Sequence, residues 1–329
     1  MASIRDVAKK AGVATSTVSK VLNNYPNVSE ETKKKVEDAI RELNFIPNAA
    51  AAALSSKQTG RIALLINEKE QSQAIDEIDM QYLTGAIVRA REKHMDVQTI
   101  FFSMLKEKSY EDMVNYLRAQ SIEGLVIFGL SKNDTEIIRL INSKMFKCVC
   151  VDAPVVSDVS STVWVDQYKA QYDIAKEMLL HNPAKKILYL AEKKNSFVME
   201  GRLKAISDIA KEMGLTVKVE QGDFSEKKAR EITLKSGKKY DLIMCASDMM
   251  AIGAMLALTD LDIFRPVAGF DGITLMGYAG KKMTTVKQGF KEIARSAVDE
   301  VESLLLGNPG KEIIMPHKIV RIEYLDVIH

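Results

Sequence analysis

Apolar and polar positions follow two rhythms along this chain, and the change falls near residue 60. Before it the spacing is helical. Ile4, Val7, Ala8 and Ala11 recur at i, i+3, i+4 and i+7, the spacing of one helix face. Ser3 precedes the run and Asp6 stands three residues on, a variant capping box, and Gly12 ends the helix in a turn. A second helix is expected from about Thr15 to Asn23, with Val18, Val21 and Leu22 inward. Its first turn is made of hydroxyls, Thr15-Ser16-Thr17. Asn24-Tyr25-Pro26-Asn27 reads as a loop. Ser29 is placed to cap a third helix, with Glu30 and Glu31 in its first turn and Val36, Ala39, Ile40 and Leu43 facing inward.

Two helices across a short glycine turn, with a third closing the core, is the helix-turn-helix plan. Periodicity alone fits a small bundle for protein contacts about as well. The hydroxyls opening the second helix, with Lys20 one turn on, favour DNA, because a recognition helix offers its N-terminal polar groups to base edges. Pro47-Asn48 then breaks the pattern, and Ala49 to Leu54 forms an alanine run. That run is good helix material but too short to hold alone in water. Ser55 to Gly60 reads as a polar linker.

From Arg61 onward, apolar strand-like runs alternate with amphipathic helices. Strands are expected at 62–66, 97–102, 124–128, 148–151, 187–190, 216–219, 242–245 and 267–270. Helices are expected at 77–94, 109–119, 134–143, 201–213, 225–236 and 248–258. This alternation predicts an α/β fold of parallel sheets in two similar lobes. Ligands in such folds bind beyond the carboxyl ends of strands, here between the lobes.

Composition narrows the class. Hydrophobic residues make up 47% and charged residues 27% of 329, and no run reaches the roughly 18 apolar residues of a membrane span. With no secretory leader pattern, the expectation is a cytoplasmic protein without membrane partner. The three cysteines, Cys148, Cys150 and Cys245, form no disulfide framework and read as buried strand thiols. The four histidines show no metal spacing, so neither metal nor cofactor is expected. Net charge is only +2, yet the first 60 residues carry a net +3, where a nucleic acid would need it. Nucleophile-elbow, P-loop and dinucleotide-loop spacings are absent, so no enzyme is expected.

Ile4-Arg5-Asp6-Val7-Ala8-Lys9-Lys10-Ala11-Gly12-Val13, Ser16-Thr17-Val18-Ser19-Lys20-Val21-Leu22-Asn23, Val28-Ser29-Glu30-Glu31-Thr32 and Phe45-Ile46-Pro47-Asn48-Ala49-Ala50 together resemble the signature of the lactose-repressor (LacI/GalR) family. Cys245-Ala246-Ser247-Asp248, Ala251-Ile252-Gly253-Ala254, Gly269-Phe270-Asp271 and Thr284-Thr285-Val286-Lys287-Gln288 extend the likeness more loosely. It implies a repressor that binds a near-palindromic operator in double-stranded DNA as a homodimer. It also implies a periplasmic-binding-protein-like domain holding a small-molecule effector, of the carbohydrate class, between its lobes. The division is then a helix-turn-helix head over 1–46, a hinge helix and linker over 47–60, and the two-lobed domain over 61–329. The first lobe takes about 61–161 plus 291–319, the second about 162–290 plus 320–329.

By resemblance, Thr15, Ser16 and Lys20 match base readers, and Ser3, Thr17, Ser29, Thr32 and Asn48 match phosphate contacts, which set register rather than sequence. Lys20 stands where the family has arginine, which turns a bidentate guanine contact into a single-point one. Leu54 matches a leucine wedged into the minor groove, where an apolar side chain kinks the duplex; a plain linker hydrophobe is the other reading. Asp152, Arg202, Phe224, Asp248 and Asp271 match effector positions. Carboxylates with an arginine suit polyol hydroxyls; the plainer readings are Asp248 as a helix cap, Arg202 as a surface residue and Phe224 as a core residue. The sequence departs from the family mostly here: Ser247 replaces asparagine, Ala205-Ile206 replaces Gly-Phe and Gly289 replaces proline. A regulator gated by a partner protein, or one with a degenerate effector site, is therefore the alternative. A solute-binding protein of transport is disfavoured by the head.

Overall fold

The computed structural model describes residues 3–22, 28–43, 45, 60–67, 77–192, 194–280 and 282–324. It falls into two units, Met1–Thr59 and Gly60–His329. Most of the expected hinge helix, including Asn48 and Leu54, lies outside the described residues.

In the first unit, α1 spans Ile4–Ala11, α2 Thr15–Leu22 and α3 Glu30–Glu42. The capping box at Ser3 and Asp6 is present in both directions. Gly12 takes the left-handed conformation at φ 66°, which a side chain would oppose. Val7, Ala8, Val18, Val21, Val36 and Ala39 close a small core, so each helix contributes two buried residues from its apolar stripe.

The second unit has two lobes, each built on a six-stranded sheet. In the first lobe, β1 (Arg61–Ile66), β2 (Val97–Phe101), β3 (Ile122–Phe128), β4 (Lys147–Val151), β5 (Ser160–Val165) and β11 (Glu312–Met315) pair in the order β11-β5-β4-β3-β1-β2. All these pairings are parallel. Helix α4 (Glu77–Glu92) and the long α11 (Phe290–Leu305) pack on one face. They meet where Gly85 approaches Lys291: a Cβ there would stand 2.4 Å from the Lys291 carbonyl oxygen. Tyr82 stacks on Phe128 and meets Phe290 edge-on. Helices α5 (Tyr110–Ala119) and α6 (Thr135–Asn142) cover the other face.

In the second lobe, β6 (Lys186–Ala191), β7 (Thr216–Gln221), β8 (Leu242–Cys245), β9 (Val267–Asp271), β10 (Met283–Gln288) and β12 (His317–Ile322) run in the order β12-β10-β9-β8-β6-β7. This sheet too is parallel, as expected, except at its edge, where β12 pairs antiparallel to β10. Helices α7 (Gln167–His181), α8 (Met199–Met213), α9 (Glu226–Ser236) and α10 (Asp248–Asp260) flank this sheet, and a 3-10 segment spans Thr274–Ala279.

The chain passes between the lobes three times: after Val165, after Gln288, and between Met315 and His317. The sequence reading puts the first and last crossings near 161 and 319. The strands themselves move these points, since β5 belongs wholly to the first sheet and β12 wholly to the second.

Candidate DNA-binding face and effector cleft

On α2, Val18 and Val21 point into the head's core, which leaves Thr15, Ser16 and Lys20 exposed and Thr17 half-buried. Ser16 and Lys20 stand four residues apart and so share a face. Ala14 precedes the helix and its carbonyl oxygen accepts from the Thr17 and Val18 amides. Ser3 and Ser29 are helix caps, with their hydroxyls bonded to Asp6 at 2.7 Å and Thr32 at 2.8 Å. The N-termini of α1 and α3 thus carry exposed hydroxyls, and a helix N-terminus favours an anion such as phosphate.

The cleft assembles at the carboxyl ends of strands from both lobes. Asp152 follows β4, Asp271 ends β9, and Asp223 and Phe224 follow β7. All four have positive φ, at 57°, 134°, 55° and 60°. Such backbone is costly for side-chain-bearing residues and gathers at functional sites. Arg202 on α8 is almost fully buried. Its Nε donates to Gln167 Oε1 at 2.9 Å and its Nη1 to the Ala246 carbonyl at 2.6 Å. Its guanidinium also lies 3.7 Å from the centre of the Phe270 ring, a cation–π contact.

Gln167 in turn donates through Nε2 to Asp152 at 3.2 Å. A residue opening the second lobe's first helix therefore links the arginine to a first-lobe carboxylate. Burial pushes the Asp152 carboxyl up to about 6, against the pull of Arg202 and the hydrogen bonds from Val165 and Gln167. The Tyr82 hydroxyl is raised by burial and further by Asp152 and Asp271, with Arg202 opposing. Both aspartates and the arginine therefore act electrostatically on one buried hydroxyl. Gln288 Nε2 donates to Asp271 at 3.1 Å.

Two expected residues behave differently. Asp248 is fully buried and its oxygens are taken up by its own chain: Oδ2 accepts from the Gly272 and Ile273 amides and Oδ1 from the Thr285 hydroxyl. Phe224 is half-buried and packs against the second lobe's core. Beside it, an open part of the cleft of about 530 Å³ is lined by Asn133, Lys194, Asn195, Gln221, Asp223 and Lys228.

The sequence reading missed Tyr82, Gln167 and Gln288. Glutamines at the start of a helix and the end of a strand carry no pattern, and Tyr82 sits in its helix as an ordinary apolar position.

The lobes also touch directly across the cleft. Glu77, in the first turn of α4, accepts from the Thr274 amide at 2.9 Å and its hydroxyl at 2.8 Å. Lys132 donates its amide to the Asn195 carbonyl at 2.9 Å and pairs with Glu200 at 2.6 Å.

Head and lobes together define a helix-turn-helix transcription regulator with a periplasmic-binding-protein-like domain. Residues 3–48 match the bacterial regulatory proteins of the lacI family. Residues 59–291 match the periplasmic binding proteins and sugar binding domain of that family. The chain belongs to the LacI family.

Among its relatives, the transcriptional regulator RegA of Clostridium saccharobutylicum is 30% identical over 98% of each chain. The transcriptional repressor PurR of Pectobacterium carotovorum is 28% identical over 90% of this chain and 88% of its own. Among solved structures, the lac repressor dimer bound to operator and the anti-inducer ONPF superposes with a TM-score of 0.80 over 97% of each chain. At 24% identity that likeness speaks for the fold. These relatives are transcriptional regulators and repressors, not enzymes. Among the described residues, no helix is long and apolar enough to cross a membrane.

Proposed function

We propose that this regulator is a cytoplasmic repressor that binds a near-palindromic operator as a homodimer, with its affinity set by a small carbohydrate in the inter-lobe cleft. The observation that carries the reading is the Asp152–Gln167–Arg202 chain at the strand ends, one carboxylate and one arginine coupled across the two lobes. A ligand seated there contacts both lobes, so binding changes their relative position. By linkage, any such change that differs between DNA-bound and free states alters operator affinity equally.

Thr15, Ser16 and Lys20 read bases, while Ser3, Thr17, Ser29, Thr32 and Asn48 hold phosphates. Leu54 enters the minor groove. Asp152, Arg202, Asp271 and Phe224 line the effector side, and Asp248 supports it. The homodimer is favoured by an exposed apolar stripe, Met80, Ile87 and Val88, on α4, and by exposed Leu256 and Phe264 on the second lobe.

Selection of binding sites from a randomised duplex tests the DNA half of this reading. A palindromic consensus is expected. Lys20→Ala should relax one base position in each half-site, at about 1–3 kcal/mol. Leu54→Ala should weaken binding to every selected site while the protein stays folded. Selection of single, non-repeated sites would overturn the dimer reading. A sugar panel read by thermal shift and by operator affinity tests the effector half.

A further inference from the structure

We propose that Glu192 is an effector-binding residue, and that the effector it selects is a cationic, amine-bearing sugar rather than a neutral one. The inference rests on the reading of the inter-lobe cleft as the effector site.

Strand β6 ends at Ala191, and Glu192 is the next residue. Its side chain is wholly buried, and beyond its own backbone amide the carboxylate finds no hydrogen-bond partner among the described residues. On the neighbouring strand, Gln221 is the register partner of Ala191. Its Oε1 is likewise buried without a partner among the described residues, and Gln221 lines the open cleft. Lys194 and Asn195, which follow Glu192 closely in the chain, line it too. Three acceptor oxygens thus lie without a partner from any other described residue at the ends of two adjacent strands, where the lobes face each other. A buried carboxylate without donors weakens a scaffold. Unsatisfied acceptors in a native site call for a ligand or solvent group to bond them.

Two of the described cations nearby, Arg202 and Lys228, are committed elsewhere. Arg202 draws the Glu192 carboxyl down against the burial that raises it, but its Nε, Nη1 and ring face are held by Gln167, Ala246 and Phe270. Lys228 is paired with Asp223. Among the described residues the local charge count therefore sets Asp152, Glu192 and Asp271 against Arg202 and Lys194, a net negative balance. That balance disfavours an anionic ligand. An ammonium brings three donors and a charge to a desolvated carboxylate, where a hydroxyl brings one donor and no charge. Asp152, Asp271 and their glutamines remain suited to hydroxyls, which makes the ligand an amino sugar.

The test uses the full-length protein and matched series: glucose, galactose and mannose, their hexosamines, and the N-acetylated forms that keep the nitrogen but lose the charge. Calorimetric titration should show at least one hexosamine binding about tenfold or more tighter than its hexose and its N-acetyl form, a preference of more than 1 kcal/mol. Glu192→Gln should abolish that preference. Without ligand, Glu192→Gln should also melt higher than wild type at neutral pH, because the amide keeps the shape and removes the buried charge.

The proposal is overturned if a hexose matches its hexosamine, if the preference survives Glu192→Gln, or if no member of the series binds. A lower melting temperature for Glu192→Gln would also overturn it, by showing that an internal partner, Lys194 first among candidates, already satisfies the carboxylate. Tight binding of a neutral hexose would leave the effector reading standing and refute this inference alone. Operator affinity indifferent to every sugar would refute the effector reading itself.

Discussion

Asp248 offers a sharp separation between a residue that binds ligand and one that holds the fold. Its carboxylate ties the start of α10 to the turn after β9 and to β10, accepting from the Gly272 amide at 2.7 Å, the Ile273 amide at 2.8 Å and the Thr285 hydroxyl at 2.6 Å. Asp248→Ala removes all three acceptor contacts. Each buried donor left unpaired costs about 1–3 kcal/mol; with incomplete additivity the expected loss is about 3–5 kcal/mol. Asp248→Asn keeps one oxygen for the two amides and presents an N–H to the Thr285 hydroxyl, which can rotate to accept it.

The amide also relieves the burden of a buried charge. Burial lifts the Asp248 carboxyl from 3.8 to about 6 in spite of its donors. The folded state therefore holds its proton over a range where the unfolded state has lost it, and stability falls as pH rises from about 4 to about 6. Two pKa units amount to about 3 kcal/mol at neutral pH. Urea midpoints at pH near 7 should place Asp248→Ala well below wild type and Asp248→Asn at or above it. The wild type and the asparagine variant should converge as the pH is lowered to about 4. Equal losses for alanine and asparagine would refute the hydrogen-bond account, and a gap that ignores pH would refute the linkage.

Further outcomes follow from other parts of the molecule. Glu77→Ala removes the bonds to Thr274, an exposed contact worth about 1 kcal/mol or less. Solution scattering of the ligand-free protein should then show more open lobes, and an unchanged curve would mean that Glu77 does not bias closure. Ser29→Ala deletes the cap of α3 and should destabilise the head by about 1 kcal/mol, visible in calorimetry as a lower head transition with the lobes unaffected. Cys148, Cys150 and Cys245 are buried free thiols with raised pKa values. A thiol reagent should label none of them in the native state and all of them in urea, and fast native labelling of Cys148 or Cys150 would contradict the packing of β4.

The head was legible almost residue by residue, because short helices declare themselves through caps and a 3.6 period. Ser3 with Asp6, Gly12 and Ser29 all fall where the sequence puts them. Apolar strands such as β1, β3 and β8 were equally plain. The elements left unread were β5, α7, β10, α11, β11 and β12, and several share a physical trait: they turn polar residues inward. β5 opens with buried Ser160, Ser161 and Thr162, α7 buries Gln167 and Gln171, β10 buries Thr284 and Thr285, and α11 buries Glu300. Such residues break an apolar pattern, yet several find partners inside the fold: Ser161 in Glu300 at 2.7 Å, Thr162 in the Cys150 carbonyl and Thr285 in Asp248.

The candidate site was half legible. Family likeness pointed to Arg202 and the aspartates. It did not point to Glu192, because a glutamate closing an apolar strand looks like any solvent-facing end until its burial is seen.

The three passages between the lobes have a consequence for how the protein is made. Neither lobe is continuous in sequence: the first lacks its helix α11 and edge strand β11 until residue 315 is synthesised, and the second lacks β12 until residue 322. The head has every one of its core residues by Ala39. At roughly 5–20 residues per second, synthesis from Ala39 to the end of β12 takes on the order of 15–60 s. During that interval a folded head hangs from an unfinished sensor on the ribosome. The part that grips is complete well before the part that decides.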